Sequence, residues 1–170
     1  MRILVTCVVL ATLACGGKEP ERPPMAVPVD LGLSKDPGAA LSVKEAKEKG
    51  PGEEVVVVGR IGNIVKGFAT LNLVDASLAH CGPGRMPECK TPWDYCCDTP
   101  EDRAAATLTV EARGPDGKIL TGMMPSLRLL DLIAVKGKVE EDEHGNVTVV
   151  ATGWFRRERP NLPEGLSWPE

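Results

Sequence analysis

Two short runs decide most of what this chain can fold into. Val57-Val58-Gly59-Arg60-Ile61 and Val135-Lys136-Gly137-Lys138-Val139 each place a glycine in the middle of an alternating, β-forming segment. Glycine weakens a strand and packs nothing, so a glycine there marks a bulge, a sharp coil or a bend in a closing sheet. The surrounding apolar period is two. Val55 to Ile61 is valine-rich; Phe68 to Asp75 sets Ala69, Leu71 and Leu73 against Thr70 and Asn72. Thr107 to Arg113 turns Leu108, Val110 and Ala112 inward, and Pro115-Asp116-Gly117 leads into a hairpin strand expected over Lys118 to Met123. Leu132 to Glu140 alternates with Ile133, Val135 and Val139 inward; after a turn at Asp142 to Asn146, Val147 to Phe155 is the last strand. Helix signals are few: a capping box at Ser42-Val43-Lys44-Glu45 opens a short helix through Lys49, stopped by Gly50-Pro51-Gly52, and Ser126 to Asp131 reads as a helical turn. An open sheet of about six strands would leave exposed edges, so the expectation is all-β: a small antiparallel barrel.

Composition narrows the functions. The chain has 170 residues, 15 prolines, 18 glycines and a formal charge of −4, which suits one turn-rich domain with tails. Residues 53 to 158 hold 12 Lys and Arg against 16 Asp and Glu, a net of −4. Phosphate binding needs the opposite balance, so nucleic acid is disfavoured as a partner.

The two glycine-centred runs resemble the V-x-G-x-V pattern of OB-fold domains in their first and fourth strands. Phe68 with Leu71, Val74 and Asp75 resembles the second strand, and Val149-Val150-Ala151 the fifth. The resemblance covers about residues 53 to 156. It departs from the OB pattern in a long insertion after the second strand and in the extra hairpin strand. Ser42 to Gly62 and Thr91-Pro92-Trp93-Asp94-Tyr95-Cys96-Cys97 also resemble uncharacterised secreted bacterial lipoproteins of planctomycete type, which implies a fold and an address but no reaction.

The address is written at the N-terminus. Arg2 and the apolar run Ile3 to Leu13 read as a signal peptide over 1–14; about 20 apolar residues would be needed for a span. Thr12-Leu13-Ala14-Cys15 resembles a lipobox, implying that Cys15 is acylated and becomes the mature N-terminus; an ordinary secretory cleavage after Ala14 is the alternative. Gly16 resembles the outer-membrane sorting class, so the expected location is a lipid anchor in the outer membrane facing the periplasm. Residues 15–41 read as the lipidated cysteine and a Pro-rich linker, 42–158 as the barrel domain with an insertion over 76–105, and 159–170 as a Pro-rich tail containing Trp168.

Of six cysteines, Cys7 leaves with the signal peptide and Cys15 carries lipid; Cys81, Cys89, Cys96 and Cys97 fall in the insertion. A structureless loop of about 30 residues needs a staple. In an oxidising compartment two disulfides are the first expectation, each contributing about 2–3 kcal/mol. Three pairings are open; those joining Cys96 and Cys97 each to one of Cys81 and Cys89 are favoured over a bond between neighbours. The alternative is a soft-metal site for zinc or copper made by these four cysteines and His80, although C-x7-C-x6-C-C lacks the usual zinc knuckle.

Catalytic signatures are sparse. The sequence contains no G-x-S-x-G, H-E-x-x-H or Gly-rich phosphate loop, and His144 in Asp142-Glu143-His144-Gly145 reads as a solvated turn. Trp93 and Tyr95 read either as a small core beneath the loop or as a ridge for an envelope-protein partner. The expectation is therefore a non-catalytic, lipid-anchored binding or structural protein of the cell envelope, needing no cofactor in the disulfide reading.

Overall fold

A computed structural model of the chain describes residues 28–82, 89–122 and 124–169. The expected signal peptide, Cys15, the first part of the linker, Met123 and six residues of the cysteine insertion (83–88) lie outside the described residues.

The elements are β1 (Leu41–Ser42), α1 (Val43–Lys47), β2 (Glu54–Ile64), β3 (Thr70–Val74), α2 (Pro100–Ala105), β4 (Thr107–Glu111), β5 (Leu132–Glu141) and β6 (Val147–Glu158). The sheet order is β1-β2-β3-β4-β6-β5, and β5 pairs back onto β2, closing five strands into a barrel. Barrel neighbours are antiparallel except β4 and β6, which run parallel. This is the OB-like architecture expected from the alternation, with the short N-terminal helix and the long cysteine loop between the barrel's second and third strands. Inward positions fill one core, including Val57, Ile61, Leu71, Leu73, Leu108, Val110, Ile133, Val135 and Val149, all nearly free of solvent.

Both diagnostic glycines are explained by crowding. A Cβ on Gly59 would lie 2.9 Å from the Val74 carbonyl oxygen and 3.0 Å from Val43 Cγ2. One on Gly137 would lie 2.7 Å from Val149 Cγ1, at a register shift between β5 and β6. Helix α1 forms as its capping box predicts: Ser42 Oγ accepts from Glu45 N–H, and Glu45 Oε2 accepts from Ser42 N–H at 2.7 Å. Its Val43 and Ala46 join the barrel core. Buried Asp75, just past β3, accepts from the Lys44 N–H of this helix at 3.1 Å. That contact accounts for the Asp in the Phe68–Asp75 element.

Three expectations are corrected. The hairpin strand expected over Lys118 to Met123 does not form over its described residues, Lys118 to Gly122, which make only single bridges, Arg113↔Ile119 and Phe68↔Thr121. Leu120 donates to the Ala112 carbonyl and accepts from Ala69 N–H, so the segment wedges between the ends of β3 and β4 and has no ladder to extend. Ser126 to Asp131, expected as one helical turn, instead falls in two separate turns, closed by Leu127 N–H on Met124 and Asp131 N–H on Arg128, the second containing Leu130, whose φ of 62° is left-handed. Helix α2 arose inside the insertion, where none was expected.

Both flanking segments lie against the barrel. From Val29 to Asp36, within the stretch read as linker, the chain follows β6: Trp154 N–H donates to Leu31, Leu33 N–H donates to Trp154, and Arg157 clasps the Asp36 carboxylate with two N–H groups. At the other end Arg159 makes a two-point contact, 2.6 and 2.7 Å, with the fully buried Asp131.

Candidate functional site under the cysteine loop

The insertion leaves and re-enters the barrel at one point, where Asp75 N–H donates to the Ala106 carbonyl at 2.8 Å. Asp75 also accepts from Ser77 N–H through its carboxylate, at 2.9 Å. Burial pushes this carboxyl up, but the hydrogen bonds from Ser77 and Lys44 outweigh it and hold it below the ordinary range. The loop therefore starts from a fixed anchor.

From there it roofs the outward face of β2, β3 and β4. Alternation sends Leu71 and Leu73 into the core, so Asn72 faces out; the twist at the end of β3 buries Val74 under the loop. Val74, Tyr95 and Leu130 make a second small core, with Leu78, Trp93 and Trp168 packed against it. Between roof and strands lies a cleft of about 270 Å³ lined by Asn63, Asn72, Trp93, Asp94, Tyr95 and Arg103, among others. The Trp168 ring, brought in by the C-terminal segment, sits 6.3 Å from that of Trp93.

Tyr95 is the unusual member. It is buried, and its hydroxyl finds no hydrogen-bond partner. Burial pushes the phenol up to about 12, with nearby Arg60 acting the other way. Of the two aromatics read as a ridge, Tyr95 is thus enclosed, and Trp93 is the one with surface to offer. His80 stacks edge-on to Tyr95 at 6.4 Å. Its Nδ1 lies 2.8 Å from the Pro92 carbonyl and 3.0 Å from that of Cys81. Carbonyls only accept, so Nδ1 carries the hydrogen and donates it to them.

The four loop cysteines are thiols in the structure rather than the two expected bridges. Cys81 Sγ lies 3.3 Å from Cys96 Sγ and 3.5 Å from Cys97 Sγ, both beyond the ~2.05 Å of a bond. Cys81 stands between two sulfurs at nearly equal range, and neither is singled out as its partner. Cys81, Cys96 and Cys97 cluster with all ligand atoms within 4.8 Å, while Cys89 stands apart, its Sγ 3.6 Å from Thr91 Oγ1. His80 is not in the cluster either. The five-residue set expected for a metal is therefore brought together only in part. Burial pushes the Cys81 thiol up, yet the hydrogen bonds from Cys96 and Cys97 outweigh it and leave it lowered; the same bond to Cys81 raises Cys96 to about 11.

Sequence reasoning missed Asn63, Asn72 and Arg103 as lining residues. Asn72 was legible as an outward position on the strand face. Arg103 depended on α2, whose signal was present: Thr99 caps it by accepting from Asp102 N–H, and Pro100 opens it. His144 sits at an exposed turn as expected, where Asp142 accepts from the N–H groups of His144 and Asn146.

No protein-family model matches the chain, and no curated protein matches it either. Fold and site together define an OB-like barrel whose outward strand face is roofed by a cysteine-bearing insertion. Among the described residues, no helix is long and apolar enough to cross a membrane.

Proposed function

We propose that this chain is a lipid-anchored, extracytoplasmic binding protein of the cell envelope, resembling planctomycete-type lipoproteins. It is tethered through acylated Cys15 and holds an uncharged, hydroxyl- and amide-bearing ligand, such as an N-acetylated sugar, without transforming it. The observation that carries the reading is the cleft itself, which brings the Asn63 and Asn72 amides and the half-buried Trp93 ring together under the roof.

The surroundings support the ligand class. OB barrels present this strand face to oligosaccharides and oligonucleotides, and the acidic balance of the domain favours the former. Asn63 and Asn72 supply paired donors and acceptors, Trp93 an apolar ring face, and Asp94 and Arg103 opposite charges. His80 is committed to two backbone carbonyls, which fits a binding role rather than proton transfer.

The test is a titration of the full chain in detergent micelles with N-acetylated oligosaccharides, followed by indole and side-chain amide NMR. Saturable shifts at Trp93, Asn63 and Asn72, weakened at least about tenfold in Trp93→Ala, are expected. Shifts confined to other residues, or none at all, would overturn the cleft reading. Anchoring is checked separately by intact mass in a lipoprotein-processing host: a diacylglyceryl group on Cys15 is expected, lost in Cys15→Ser. A soluble mature chain with an unmodified Cys15 would refute it.

A further inference from the structure

The three-thiol cluster lies outside the cleft lining and is independent of the binding reading. Backbone bonds fix its members. Cys81 N–H donates to the Asp94 carbonyl at 2.6 Å, and a turn closed by Asp98 N–H on the Tyr95 carbonyl carries Cys96 and Cys97. Cys81 is buried at the floor while Cys96 and Cys97 are exposed at the rim, so the site has an inner end and an entrance.

We infer that Cys81, Cys96 and Cys97 form a three-coordinate site for one Cu(I) ion. A metal–sulfur distance of about 2.3 Å in a trigonal plane separates the sulfurs by roughly 4 Å. The three here already fall within 4.8 Å of one another, with Cys81 at 3.3 and 3.5 Å from the other two. Small outward shifts of the exposed rim side chains open the triangle. Thiolates select soft ions, and Cu(I) accepts three of them, whereas structural zinc takes four ligands. Among the described residues, the other two ligand types of the loop are engaged elsewhere: His80 Nδ1 donates to the Pro92 and Cys81 carbonyls, and Cys89 lies beside Thr91. As Cu(I) enters, three S–H bonds are replaced by three Cu–S bonds and three protons pass to solvent, with no change of oxidation state.

The experiment is an anaerobic titration of the reduced full chain in detergent with Cu(I), competed against a chromophoric Cu(I) chelator. Free thiols are counted by alkylation, before any reductant, on chain taken directly from the envelope. One Cu(I) per chain is expected, with an ultraviolet sulfur-to-copper band. Cys81→Ser, Cys96→Ser and Cys97→Ser should each weaken retention more than about 100-fold, while Cys89→Ser and His80→Ala stay within about threefold. Cys96 and Cys97 are exposed, so their variants test the site without disturbing the core; far-UV circular dichroism verifies each fold. The proposal is overturned if Cys89→Ser is as damaging as the others, if zinc is held as tightly as Cu(I), or if envelope-derived chain carries Cys81 bridged to Cys96 or Cys97. None of these results depends on whether a sugar binds the cleft.

Discussion

The barrel and its roof are built on different terms. Between β5 and β6, ten residue pairs are matched from Leu132↔Glu158 to Glu141↔Val147 across two register shifts, and each inward side chain meets others from several strands. The roof, by contrast, contains among its described residues one six-residue helix with no buried side chain, and it supplies only Tyr95 to a satellite core completed by Val74 of β3 and Leu130. In the barrel a residue is held by many neighbours at once. In the roof it is held by a few hydrogen bonds, one aromatic patch and the Trp168 ring. A rigid frame carrying a lightly held cover suits a binding surface, because the cover can adjust while the strand face beneath keeps its geometry.

This contrast can be broken at several points. The largest effect should come from the barrel: Gly137→Val forces a Cβ against Val149 and is expected to destabilise the domain by about 3 kcal/mol or more, read by chemical denaturation. A loss under about 1 kcal/mol would mean that the strand junction is as pliable as the roof. Asp75→Ala removes the carboxylate that joins frame to roof and should lower stability by about 2 kcal/mol. The sign with pH follows from the depressed carboxyl. Its contribution is complete above 3.8 and is lost as pH falls through the lower folded value, so the gap between wild type and Asp75→Asn should shrink on acidification. A gap that widened in acid would reverse the assignment. Ser42→Ala, which removes the cap of α1, should reduce stability by about 1 kcal/mol in thermal melts. Smallest of all, Tyr95→Phe should leave stability unchanged or raise it by up to about 1 kcal/mol in chemical denaturation, because the buried hydroxyl it deletes has no protein partner. A marked loss of stability would show that the hydroxyl serves the roof itself.

The same contrast explains what the sequence disclosed. Strands such as Thr107–Glu111 and Leu132–Glu141 announce themselves because burial on one face imposes a period of two, and Gly59 and Gly137 are readable because only glycine fits where backbones crowd. The capping box at Ser42 is a local device and was equally plain. The roof has no period, so the cysteines drew attention while Asn72 and Arg103, which the fold brings to the cleft, did not. The convergence of Cys81 on Cys96 and Cys97, leaving Cys89 aside, depends on long-range folding that spacing does not encode. Lys118 to Met123 failed for a related reason: it carries strand-like residues, but Ala69 and Ala112 offer it only isolated bonds.

The neck at Asp75 and Ala106 has a further meaning. Val74 pairs with Thr107 and the next residues in and out are bonded to each other, so topologically the insertion is a hairpin turn grown to about 30 residues. Chain-closure entropy rises only with the logarithm of length, so enlarging a four-residue turn to this size costs the barrel about 2 kcal/mol. The barrel can therefore carry very different covers at nearly the same stability. The frame therefore sets little limit on what the roof can become, and under the proposed binding role a different roof would mean a different ligand without a new fold.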